Sequence, residues 1–287
     1  MKRAAASLLI ASVVSLAPHD ADACAGCSNP NLPVAQVQQQ GVPAAGTLGY
    51  AVTLSGTALR VVHETGCPDL GPSCRLYDPG PYLHDQGLRL AELRAQVDYA
   101  INGFVGLQLQ FPWRVVDTDI TYRRIDGTAF VPDEEGIHHR DETLAGPGDP
   151  WLLVRFTGDA MGFTWSGRVG ASLPLGRTEP DPFVAGRQGQ PHQHLQFGTG
   201  TITPVLAGEA SRRIGDALLH AYVLAQPMLV ENVHGFLAGH RVGGGLGAAW
   251  SFGGTRAGLG VDVIHEEAER WRGVVQQDGN LGRTDLL

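Results

Sequence analysis

Ala91-Glu92-Leu93-Arg94-Ala95-Gln96-Val97-Asp98-Tyr99 and Val105-Gly106-Leu107-Gln108-Leu109-Gln110-Phe111-Pro112-Trp113-Arg114-Val115 carry the fold in two lines of sequence. In each, every second residue is apolar, and in the first line every residue between is polar. Successive side chains of a strand point to opposite faces, so this is the signature of two strands with one oily face and one polar face. Asn102-Gly103 between them is a hairpin signal.

The same alternation runs through 47–62, 151–156, 163–173, 199–210, 217–230, 240–252 and 256–264, which gives nine expected strands. Pro204 and Pro227 lie within two of them and each removes a ladder donor. Short turns fall near Asn102, 158–162, 212–216 and Gly253-Gly254, and long connections at 63–86, 116–148, 176–198, 231–239 and 265–282. Long and short connections alternate along the chain. Outer-membrane barrels sort their connections in this way, with short periplasmic turns and longer outer loops. The expected fold class is therefore all-β: a transmembrane antiparallel up-and-down β-barrel of about ten to twelve strands when complete. Nine strands would leave the last one pointing outward where an even number is needed to close, and residues 282–287 read as the start of a tenth strand that stops after six residues, so the C-terminal strands are expected to be missing. On the polar face Glu92, Arg94, Gln96, Asp98, Gln108, Gln110, Arg114 and Arg168 are expected to line a lumen.

The first residues fit export to that location. Lys2 and Arg3 lead into an apolar run over 4–17, and Ala21-Asp22-Ala23 reads as a cleavage site. Residues 1–23 are then a signal peptide, 24–45 an N-terminal periplasmic segment and 46–287 the barrel. Cys24 would be the first mature residue, so acylation there is an alternative. Nothing later approaches the ~18 uninterrupted apolar residues of a membrane helix. The formal net charge of −8 argues against a nucleic-acid partner, which needs a basic stripe to replace the counterions around phosphates.

Four cysteines, Cys24, Cys27, Cys67 and Cys74, lie on an oxidising export route and are disulfide candidates, with neighbours in sequence favoured as pairs. Covalent haem attachment at Cys24-Ala25-Gly26-Cys27 is excluded because Ser28 stands where histidine is required. Most histidines fall in or beside the long connections. His138 and His139, next to Asp141 and Glu142, and the pair His192 and His194 offer donors for Zn²⁺ or Cu²⁺. Otherwise no cofactor is expected. No nucleophile elbow, phosphate loop or zinc-protease helix is present, so an enzyme is not expected. Gly243-Gly244-Gly245-x-Gly247 lies inside an alternating strand, where glycine serves curvature or close packing.

Gly146-Pro147-Gly148-Asp149 before one strand, Leu173-Pro174-Leu175-Gly176 ending another and Gly198-Thr199-Gly200 opening the next are similar to one known pattern. They resemble the outer-membrane family of transporters assigned to a phenol-degradation pathway, over roughly 145–260. The resemblance implies a channel-type barrel for small organic solutes and carries no catalytic residues.

The expectation is thus a channel or transporter in the outer membrane of a Gram-negative bacterium, with lipid and a small solute as partners and the long loops extracellular. The alternative is a surface metal-binding or electron-transfer accessory that uses the barrel as an anchor and the histidines and Cys24/Cys27 as working parts.

Overall fold

The computed structural model describes residues 43–65, 80–131, 141–252, 255–276 and 279–286. The signal-peptide stretch, Cys24, Cys27, Cys67, Cys74, His138 and His139 lie outside the described residues.

Ten strands follow one another in an antiparallel up-and-down path: β1 (Leu48–Thr65), β2 (Tyr82–Ala100), β3 (Val105–Arg124), β6 (Trp151–Ala160), β7 (Phe163–Ser172), β8 (Thr203–Ile214), β9 (Ala217–Gln226), β11 (Arg241–Phe252), β12 (Thr255–Glu267) and β14 (Gly282–Leu286). Two short strands, β4 (Ala129–Phe130) and β5 (Glu142–Pro147), add to β3, while β10 (Phe236–Leu237) and β13 (Arg270–Trp271) form a separate ribbon. The one described helix, α1 (Pro182–Arg187), lies in the connection before β8. All nine strands read from alternation are present, and 282–286 forms the tenth by pairing with β12. The sheet is open between its edges β1 and β14. The connections are sorted as expected, with Met161-Gly162 and Gly215-Asp216 at one end and the long segments at the other.

Burial is inverted relative to a water-soluble sheet. Glu92 and Arg94 are 3% and 6% exposed, whereas Leu93 and Trp113 are 47% and 45% exposed. The outward apolar run from Ala91 to Tyr99 is nine residues, matching the roughly 9–11 that a tilted strand needs to cross hydrocarbon.

Above that band the pattern reverses. Leu88, Leu90 and Val116 turn inward and are buried, while Arg89 and Asp117 turn outward and pair at 2.9 Å. Alternation therefore changes phase at the rung Ala91 to Val115, and β2 and β3 run on well beyond their apolar stretches. The expected long connections 63–86 and 116–148 begin too early for this reason: their first and last parts are strand. The sequence pattern weakens there because neither face is uniformly oily, but the ladder continues.

Asp85, on this water-facing extension, is held below the ordinary carboxylate range by its hydrogen bonds from Arg60, against a smaller opposing effect of burial. A folded-state pKa below the unfolded one stabilises the fold above the ordinary range and is lost as pH falls through the folded value. Arg60 is 68% exposed, so solvent keeps the effect small. Asp85→Asn is expected to lose part of the acid sensitivity seen in denaturant midpoints between pH 7 and pH 3, with little change at pH 7 in fold or assembly.

Candidate functional site

The polar face of the sheet is its inner face. Residues of β2, β3, β6, β9 and β11, well separated along the strand path, line one cleft: Arg94, Arg114, Trp151, Gln226 and Arg241 face it together with Thr199. The sheet must curl for these strands to meet. The cleft has an empty volume of about 620 Å³ including its opening.

Every expected lumen residue lies on this face, and several form one hydrogen-bonded chain. Glu92 is its hub, accepting from Arg94 at 2.6 and 2.8 Å and from Arg114 Nε at 2.8 Å. Arg94 also donates to Gln110 at 3.1 Å and sits 5.0 Å over the Trp151 ring. Gln110 donates to Gln108 at 3.1 Å, and Gln108 to Asp98 at 2.9 Å. Asp98 accepts further bonds from Gln96 at 2.6 Å and Arg155 at 3.1 Å. Arg168 pairs with Glu209 at 2.9 Å, and Arg241 with Glu266 at 3.3 Å. Alternating signs inside a low-dielectric wall make a rigid, crosswise field rather than a uniformly charged tube.

Sequence reading missed Arg155, Glu209, Arg241 and Glu266. Arg155 and Glu209 sit on the polar phase of segments already read as strands, so extending the alternation would have found them. Arg241 and Glu266 face each other across the β11–β12 register, which is visible only once the strands are paired. On β11 the inner positions include Gly245 and Gly247. A Cβ at Gly245 would lie 2.0 Å from Asp262 Oδ1 and 2.6 Å from Tyr222 Cε1, so this glycine leaves room for the Tyr222–Asp262 hydrogen bond. That is the close packing expected of the glycine run.

The long connections fold over and into one end of the sheet. Leu195 and Phe197 pack on Leu88, Leu90, Val116 and Leu144. Phe183, behind the Asp181 cap of α1, packs with Met228, Phe236 and Trp271. Three motifs that are far apart in sequence meet at Asp149. Its Oδ1 accepts from Gly176 N at 2.8 Å, and its Oδ2 from Thr199 N at 2.7 Å and Thr199 Oγ1 at 2.9 Å. A Cβ at Gly198 would stand 2.3 Å from Asp149 Oδ1, so only glycine permits this approach. Arg114 Nη1 donates to Phe197 O at 2.8 Å and ties the clasp to the Glu92 hub.

Of the candidate metal ligands, His194 is less exposed than a loop residue was expected to be. His194 is buried and edge-on to Phe183, with the His192 ring 5.3 Å away between centroids. Gln193 is buried as well, donating to Glu142 at 2.6 Å. Among the described residues no three His, Cys, Asp or Glu side chains are grouped to hold a metal. No helix among them is long and apolar enough to cross a membrane, which says nothing of a β-barrel.

No family model matches the chain. No curated protein matches it either. Among solved structures the chain is similar to an outer-membrane channel from Pseudomonas putida F1, at 13% identity and a TM-score of 0.47, over 86% of this chain and 82% of that one.

Proposed function

We propose that this chain is the wall of an outer-membrane β-barrel that passes small organic solutes through its polar interior. The inversion of burial carries the reading: a nine-residue outward apolar band backs a buried ladder of arginines, carboxylates and amides. Such a surface suits lipid, and such an interior offers a solute hydrogen bonds and paired charges in place of water. The layer built on Asp149 narrows one mouth and selects by size before the Glu92 ladder acts on charge. The test is planar-bilayer recording of the full-length protein refolded in detergent. Discrete conductance steps are expected, and their absence from protein that runs as a folded barrel on gels would overturn the reading.

Orientation is tested separately. Val233 in a long connection and Met161 in a short turn are 92% and 96% exposed, which makes both accessible to labelling. Relative to wild-type background, Val233→Cys should react with an impermeant thiol reagent in intact cells, and Met161→Cys only after permeabilisation. Equal labelling of the two would refute the orientation.

A further inference from the structure

Arg155 and Arg168 stand directly opposite each other in the β6–β7 register, and Thr157 and Ser166 form the next inward-facing pair. All four side chains lie on the inner face and are at least nine-tenths buried. Two like charges placed directly across a sheet repel, and the repulsion is strong away from water.

The flanking carboxylates answer only part of this demand. Asp98 takes one nitrogen of Arg155, at 3.1 Å, while also accepting from Gln96 and Gln108. Glu209 takes one nitrogen of Arg168, at 2.9 Å. Arg155 Nε, Arg168 Nε, Arg168 Nη1, Thr157 Oγ1 and Ser166 Oγ remain buried with no hydrogen-bond partner. Buried donors are almost always satisfied, and five unsatisfied ones on two adjacent rungs point to an acceptor between them.

The Arg155 guanidinium is itself held in place by close packing against β3. Gly106 is the β3 register partner of Arg155, and a Cβ there would lie 2.7 Å from Arg155 Nη2. Its absence lets the guanidinium rest against bare backbone.

We propose that the inner face of β6 and β7 binds one small oxyanion, held by the unpaired guanidinium N–H groups of Arg155 and Arg168 and the hydroxyls of Thr157 and Ser166. Guanidinium N–H groups make charge-assisted hydrogen bonds to anionic oxygens, and hydroxyls supply the remaining donors to a group that only accepts. The shared ligand chemistry is a compact, negatively charged set of oxygens, either an inorganic anion or the carboxylate of an organic solute. That the site lies on the solute path rests on the channel reading. Binding itself does not.

Calorimetric titration of the full-length protein, folded in detergent, tests the site with sodium sulfate and sodium acetate as separate probes. One site per chain is expected for at least one probe. Tighter sulfate binding would mark an inorganic anion, and tighter acetate binding a carboxylate. Arg168→Gln should weaken binding at least tenfold. The uncharged double replacement Thr157→Val with Ser166→Ala, which leaves both ion pairs in place, should weaken it several-fold and keep the barrel foldable. Arg89→Gln, on the outer surface, should change nothing. Wild type that runs as a folded barrel but binds neither probe, or binding that survives both inner-face variants, would overturn the site. Anion binding without conductance would instead refute the channel reading alone.

Discussion

Asp149→Ala should release the loop layer, at a cost of about 3–5 kcal/mol from the three hydrogen bonds lost at a buried carboxylate. The part-buried N–H of Gly176 and the buried N–H of Thr199 would lose their acceptor. The effect should fall on the connection over 173–202 rather than on the strands, because the ladders from β6 to β9 do not depend on Asp149. Limited proteolysis of the folded protein should cut that connection at least tenfold faster than in wild type, and conductance should rise as Leu195 and Phe197 leave the inner face. Asp149→Asn keeps one acceptor oxygen and should fall between. A variant as resistant to protease as wild type, with the same conductance, would show that the clasp does not hold the layer in place.

The three neighbours Glu92, Leu93 and Arg94 should fail for different reasons. Glu92→Ala leaves Arg94 and Arg114 buried without their common carboxylate, and breaking a buried charge cluster in this way costs about 3–5 kcal/mol. Leu93→Arg places a cation on the outward apolar face, where it costs roughly 2–4 kcal/mol near the bilayer midplane. Arg94→Leu should cost less, about 1–3 kcal/mol, because Glu92 keeps Arg114 while Gln110 loses a donor. Simple alternation would treat Arg94 as a selectivity residue alone. Its two bonds to Glu92 and its place over Trp151 make it structural as well. Unfolding titrations of the barrel in lipid, with Leu93→Ile as a near-neutral control, check the order. If Leu93→Arg were as harmless as an ordinary surface change, the outward face would not be facing lipid.

These two predictions draw on different kinds of information. The faces of β2 and β3 were legible in Ala91 to Val115, because side-chain alternation has a period of two and the backbone enforces it residue by residue. The sorting of connections was legible for a similar reason: a turn of two residues and a segment of thirty leave different local signatures. The glycine run on β11 was placed correctly in a strand, although not beside Tyr222 and Asp262.

What sequence alone determined is therefore the order of the strands, the face on which each side chain of the clearly alternating segments lies and the end at which the loops gather, all properties of neighbours along the chain. Tertiary structure decided which charges meet. Glu92 finds Arg114 across 22 residues, and Arg168 finds Glu209 across 41. Asp149 closes on Thr199 across 50. Register set Arg155 against Arg168, and a shift of one residue would have turned one of them toward the outside. Loop burial was equally hidden, since Gln193 and His194 look like solvent-exposed polar residues until Phe183 and Glu142 are brought beside them. Such partners are fixed by strand pairing and by the return of distant segments, and no local pattern of polarity encodes either.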